Sequence, residues 1–388
     1  MMHAPCSVSP DWLSVHCGRS LPSRRAAPAI NAISGREFQH HPIFAAFTPA
    51  HLQKSSAPAP LGLGSVEISD FLGVRYPKSL FCNHGYMRQV EAYAIRQRLC
   101  KLYAHHMGNI SSAVASWPVI SEEYFEYVDV MTAVDDYIAE QPHIADARRR
   151  PFAFVELGSG YGHWSFAAHQ LLQSRLGGGG EVPARFLMVD AVHLEGVVRH
   201  LADRNGMSNR SWSFHVGVVD GQTGSLSAEA EAGMLHAARL SKSLWNIKAR
   251  LPRRHLSGIN LISLLDVYEM PCVIDVLDVD IQGGEYMAFT PAVMRVLERR
   301  VIRVHIGLHN NESEAQDDAL FAAFGADQWT SGWRFIRPRK AEHRWPLVEG
   351  VRGRHESPTW GPIRFSDGVV SFLNRRREEL ISEEAKAC

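Results

Sequence analysis

Glycines spaced two apart behind a short apolar run bring bare backbone up against a ligand. Here the run Phe152-Ala153-Phe154-Val155 leads into Glu156-Leu157-Gly158-Ser159-Gly160-Tyr161-Gly162. A strand that enters such a turn and then a helix leaves backbone amides at its carboxyl end, where open α/β sheets hold ligands. A tight strand-to-helix turn with no ligand uses the same glycines, so their surroundings matter. The spacing is G-x-G-x-G, and His163 stands where the dinucleotide fingerprint has its third glycine. Glu156 stands two positions ahead of Gly158. A carboxylate there offers nothing to a pyrophosphate. It suits a ligand with an ammonium and a sulfonium, which S-adenosylmethionine carries.

Three further sets of residues fit that chemistry. Asp190 ends a second apolar run, Phe186-Leu187-Met188-Val189, where a carboxylate can accept two hydrogen bonds from ribose hydroxyls. Its other reading is the N-cap of the helix that follows. Gly217 and Val218, small and apolar at the end of a third strand, can edge an adenine slot. The fourth run is Ile274-Asp275-Val276-Leu277-Asp278-Val279-Asp280-Ile281-Gln282-Gly283-Gly284-Glu285. Asp278 and Asp280 share one face of a strand that is otherwise apolar, and Gln282 and Glu285 follow at its exit, as substrate contacts. Carboxylates in a central strand are costly unless they are paired or lie at a ligand edge, and no basic partner is evident in the sequence.

The elements that position these residues alternate between strand and helix. Residues 121–140 read as a helix with an apolar stripe of Tyr124, Val128, Met131, Val134 and Ile138, with Ser121 as N-cap. Strands are expected at 152–155, 186–189, 212–219, 273–280 and 301–307, with late strands at 333–337 and 369–373. Helices follow at 163–173 and from Leu194, another opens at Thr290-Pro291, and a fourth covers 314–324. The fold class is therefore α/β, a doubly wound, mainly parallel sheet. Four segments are expected. Residues 1–64 form a disordered tail or transit segment, 65–150 an extension with helices, 151–376 the ligand-binding domain and 377–388 a C-terminal tail. Residues 221–256 read as an insertion carrying a helix.

Composition excludes some classes. Lys plus Arg and Asp plus Glu are both 41, so no basic excess points to nucleic acid. No apolar stretch approaches the ~18 residues of a membrane span. The six cysteines are scattered with no CxxC pair, which suits neither a zinc site nor a dense disulfide framework. A reducing, cytoplasmic setting is the default, and an organellar one follows if the N-terminal segment is a transit peptide.

At residues 155–162, 189–190, 217–220, 274–285 and 303–309 the chain resembles the FkbM-type methyltransferases. Residues 70–75 and 361–368 look like other parts of that family, and the resemblance spans about 65–374. The fourth-strand motif is the specific one, commonly I-D-L-L-K-I-D-V-E-G-A-E. This chain departs from it with Asp278 for Lys, Gln282 for Glu and Gly284 for Ala. The resemblance implies a Rossmann-like class I methyltransferase fold, S-adenosylmethionine as cofactor, and O-methylation of a hydroxyl on a sugar, polyketide or other small metabolite. No nucleic-acid or membrane partner is expected.

A hydroxyl acceptor needs a group to take its proton. The candidates are His309, His305, Asp280 and Glu285, with His309 best placed at the end of the fifth strand. On an extended strand His305 and His309 would stand about 13 Å apart, too far for one ion, so no metal site is expected. Two other readings remain. One is a catalytically silent cofactor-binding protein of the same fold, kept open by loss of the motif Lys. The other is a dinucleotide-dependent oxidoreductase, disfavoured by Glu156 and His163.

Overall fold

The structure is a computed structural model. It describes residues 123–140, 150–176, 183–191, 194–219, 257–281, 284–308, 314–335 and 368–387, with short stretches at 7–8, 15–16, 43, 67–70, 72–77, 112–114, 224–225, 356–357 and 361–362. The expectations of a disordered or transit tail and of a helix-bearing insertion fall largely outside these residues. Two compact units are present. One comprises 1–124, 343–347 and 353–365, and the other 125–342, 348–352 and 366–388. In the first, the strand Glu67–Ser69 pairs antiparallel with Arg75–Pro77 and parallel with Ser112–Val114. Its turn is held by the Asp70 carboxylate, which accepts from the amides of Leu72 and Val74 at 3.0 and 2.9 Å.

The second unit is built on seven strands: β1 Phe152–Leu157, β2 Ala184–Asp190, β3 Trp212–Val216, β4 Ile274–Val279, β5 Val301–Leu308, β6 Trp329–Phe335 and β7 Gly368–Asn374. Their order in the sheet is β6-β7-β5-β4-β1-β2-β3. Strands β1 to β5 pair in parallel, and β7 runs antiparallel between β5 and β6. Chain order reverses between β1 and β4, the switch point at which such sheets bind ligands. This is a doubly wound, Rossmann-like α/β fold. The helices are α1 Glu123–Glu140, α2 His163–Leu176, α3 Glu195–Arg204, α4 Leu261–Val267, α5 Glu285–Ala288, α6 Pro291–Arg300, α7 Glu314–Ala323 and α8 Arg377–Ala387. Among the described residues none is long and apolar enough to cross a membrane.

Strands β1 and β4 are buried at every position, which is why they read as continuous apolar runs rather than alternating ones. On one face Val155, Leu187, Leu277 and Ile306 pack with Leu264 of α4, Leu297 of α6 and Leu320 of α7. The opposite face carries Phe152, Phe154 and Phe186, each at most 1% exposed. Burial of a Phe at that depth contributes about 1.5–3 kcal/mol. There α1 sets Tyr137 edge-on to Phe152, with ring centroids 5.4 Å apart, and α2 sets His169 edge-on to Phe186 at 6.1 Å.

Several expectations need correction. The third strand is not continuous to 219. It ends at Val216, and Val218–Val219 pairs instead with Ser257–Ile259 in a separate small sheet. Helix α4 was not expected. It starts at Asn260, whose side chain accepts from the Ser263 amide at 2.8 Å. The C-terminal tail contains α8, which anchors Leu380 against Val273 and Ile302. Strand β6 starts at Trp329, ahead of the expected 333. Cys272 is disulfide-bonded, and every other cysteine lies outside the described residues.

Helix α1 belongs with the sheet and is buried nearly all round. Every residue from Phe125 to Met131 is buried, whereas Ile138 of the expected stripe is only half-buried. Its acidic residues tie it down. Arg150 holds Asp275 of β4 with both terminal nitrogens, at 2.7 and 2.6 Å, and Glu140 of α1 at 3.0 Å. Arg377 of α8 donates to the same Glu140 at 2.6 Å. Removing Arg150 leaves the Asp275 carboxylate buried without its counter-charge. Arg150→Leu should therefore cost about 3–5 kcal/mol in urea unfolding, whereas Arg376→Ala, which loses an exposed pair with Glu379, should cost no more than about 1 kcal/mol. Equal effects of the two would refute the assignment of α1 docking to the buried pair.

Candidate cofactor site

The turn after β1 is pinned from three sides. The amides of Gly158 and Ser159 both donate to the Val189 carbonyl of β2, at 2.8 and 2.9 Å. The Asp280 amide, just past β4, donates to the Leu157 carbonyl at 2.8 Å. Gly158 has φ +84°, and a Cβ there would collide with the Asp280 carbonyl oxygen. Gly160 has φ +53° and nothing within 4 Å of where a Cβ would stand. Its amide donates to Asp190 Oδ2 at 2.8 Å. A Cβ on Gly162 would meet the Met188 sulfur. The three glycines thus do different work. Gly158 and Gly162 permit close packing inside the protein, and Gly160 leaves open space over the turn.

Asp190 ends β2 as expected and is half-buried at the carboxyl edge. Its alternative reading as a helix N-cap does not hold: α3 begins at Glu195 behind Leu194, and no side chain caps it. The Gly217 amide donates to the Asp190 carbonyl at 3.0 Å, so the ends of β2 and β3 meet beside the glycine turn. Val218 follows in the small sheet, and its side chain lies outside the described residues.

Glu156 does something other than what its position suggested. It is 1% exposed, and its carboxylate accepts from the Ser165 amide at 3.0 Å, the Ser165 hydroxyl at 2.5 Å and the Trp164 amide at 3.3 Å. It therefore satisfies the first amides of α2 and holds that helix against the turn. Burial pushes its carboxyl up to about 7, and the nearby Asp280 charge adds to the shift. Direct contact with a ligand ammonium is replaced by positioning of the turn.

The acceptor side divides in the same way. Asp280 stands half-buried at the exit of β4. His305 lies inside β5, 3% exposed, with Nδ1 2.8 Å from Asp129 Oδ2 of α1. That burial removes it as a proton acceptor for a substrate. Glu285 opens α5 and is fully buried, so it does not face an acceptor either. Gln282 and His309 lie outside the described residues. Register sets Glu156, Asp278 and His305 side by side on β1, β4 and β5. Sequence reasoning missed Glu126 and Asp129, the α1 residues over that row. The available signal was the recurrence of acidic residues at 126, 129, 136 and 140, which fall on one face of a helix whose other positions are apolar except Glu123, Thr132 and Asp135.

Neither a protein-family model nor a curated protein matches the chain. One similar solved structure is the precorrin-6y C5,15-methyltransferase of Geobacter metallireducens. It is 6% identical over 64% of this chain and 86% of that one, with a TM-score of 0.30. At that score it carries no weight for chemistry, and the fold rests on strand order and direction.

Two outcomes follow from the turn. Gly158→Ala should cost about 2–5 kcal/mol of stability, from left-handed strain and overpacking against Asp280. Gly160→Ala should cost only the strain, about 1–2 kcal/mol, while intruding on the ligand space. Urea midpoints of the two variants check this, and a Gly158→Ala protein as stable as Gly160→Ala would contradict the packing argument. The second outcome concerns His163, whose Nε2 lies 3.0 Å from the Tyr127 hydroxyl. The ring is half-buried, and desolvation pushes its pKa down to about 3, from an ordinary 6.5. The unfolded chain then binds the proton more readily than the folded one. The stability from keeping this ring neutral is full above about pH 6.5 and is lost as pH falls toward 3. His163→Asn should flatten the pH dependence of the urea midpoint over that window, and an unchanged slope would contradict it.

Proposed function

We propose that the chain is an S-adenosylmethionine-dependent methyltransferase of the FkbM type that methylates a hydroxyl on a small metabolite. The observation that carries this reading is the Asp190–Gly160 clamp. It sets a half-buried carboxylate beside an open glycine turn at the switch point of the sheet. A carboxylate there can take ribose hydroxyls, and among the described residues nothing lies within 4 Å of where a Cβ on Gly160 would stand. The fourth-strand motif supports the same assignment, with Asp278 in place of its Lys.

In this reading Asp190 and the turn hold the cofactor, and Gly217 borders the adenine side. When bound, the cofactor supplies an electrophilic methyl group on a sulfonium that leaves readily. The protein's part is then alignment and removal of one proton. Asp280 and His309, at the exits of β4 and β5, are the groups assigned to that proton. His305 and Glu285 are not among them, because both are buried.

Asp190→Ala should weaken S-adenosylhomocysteine binding by about 1.5–3 kcal/mol, the scale of charge-assisted hydrogen bonds. Isothermal titration on folded protein measures it. Unchanged affinity in the variant would remove Asp190 from the site. No binding of S-adenosylhomocysteine to the wild type, with binding of NAD instead, would overturn the methyltransferase reading itself.

A further inference from the structure

The buried row under α1 holds more acid than its surroundings can neutralise. Glu126 reaches down from α1 to hydrogen-bond with Asp278 of β4. The coordinating atoms of Glu126, Asp278 and His305 all lie within 4.8 Å of one another. The three residues are 7%, 1% and 3% exposed. The other charges close to Asp278 are Glu156, Asp280 and Asp129, every one acidic. Arg303, the cation of this region, is drawn to Asp129 at 2.9 Å. Asp278 Oδ1 is buried with no hydrogen-bond partner among the described residues. A carboxylate oxygen left that way costs free energy that a cation would recover.

We propose that Glu126, Asp278 and His305 form a site for a divalent transition-metal ion, zinc or manganese, that ties α1 to β4 and β5. Two carboxylate oxygens and one imidazole nitrogen are a donor set suited to these ions. His305 is oriented for the purpose. A carboxylate can only accept, so Nδ1 donates to Asp129 Oδ2, and Nε2 is the nitrogen left to bind an ion. A carboxylate behind a ligating histidine is the usual outer support of such sites. A tetrahedral ion about 2.0–2.2 Å from each donor needs the donors about 3.3–3.6 Å apart, so a cluster spread over as much as 4.8 Å has to close by about 1.5 Å. The expectation of no metal rested on the spacing of His305 and His309. This cluster does not use His309. The inference is independent of the methyl-transfer reading, because the site lies one row deeper in the sheet than Asp280.

The competing account is a pair of carboxyls, Glu126 and Asp278, sharing one proton. Elemental analysis of full-length protein purified without a metal-affinity column separates the two. The expected result is about one equivalent of zinc or manganese per chain after dialysis. Protein stripped with a chelator should gain thermal stability when either ion is returned, and Asp278→Asn should neither hold nor respond to it. Asp129→Asn, which touches no ion in this scheme, should weaken binding about 10–100-fold. Cobalt added to the stripped wild type should give a visible spectrum that His305→Gln lacks. Background metal content with no thermal response in the wild type overturns the proposal. So does an equal response in Asp278→Asn. An Asp278→Asn protein more stable than the stripped wild type, with no metal bound by either, would establish the shared proton instead.

Discussion

Taking a carboxylate out of water is among the largest single costs a folded chain meets, and this sheet does it repeatedly on one face. Glu156 and Asp278 sit side by side in the two central strands, and Glu126 and Asp129 descend on them from α1. Each is accommodated differently. Glu156 is absorbed by the amides of α2. Asp129 is shared between Arg303 and His305. Asp275, on the neighbouring stretch of β4, takes a two-pronged contact from Arg150. Asp278 has His305 beside it, acids for its other charged neighbours and one hydrogen bond with Glu126, and burial with the Glu156 charge raises its pKa well above its ordinary value. The position of α1, and through it the back wall of the glycine turn, depends on this balance.

The turn itself is held by backbone rather than by side chains. Val189 supplies one carbonyl to two consecutive amides, and Leu157 takes the amide of Asp280. Those contacts lock the exits of β1, β2 and β4 together before any ligand arrives. The half-buried Asp190 then completes the edge by fixing the Gly160 amide. A site preorganised in this way loses little conformational freedom on binding.

Much of this was legible in the residues because it is local. Apolar runs bounded by glycine identify β1 and β4. Thr290 caps α6, accepting from the Val293 amide at 3.3 Å with Pro291 behind it, as the dipeptide suggests. Asp190 was legible because a carboxylate at a strand end has few roles. What was not legible depends on distant partners. Glu156 was read as facing a ligand because its contacts with Trp164 and Ser165 come only from the sharp entry into α2. Nothing in the spacing of 123–140 says that the helix is buried on every side from Phe125 to Met131, so Glu126 and Asp129 drew no attention. The cations they require, Arg150, Arg303 and Arg377, lie up to 237 positions from their partners along the chain. Helix α8 was passed over because its charged composition hides the apolar anchor of Leu380 and Ile381.

The reversed strand β7 has a bearing on how the molecule comes to be built. It lies between β5 and β6, both of which precede it in the chain, and pairs with each along its length. A nascent polypeptide therefore presents the open margin of β5 until residues 368–374 have left the ribosome. Only then can β6 join the sheet, since among the described residues its ladder is with β7. An unpaired strand margin of that kind is a template for pairing with the wrong chain. Until β7 docks, the margin of β5 is where this sheet is open to pairing with another chain.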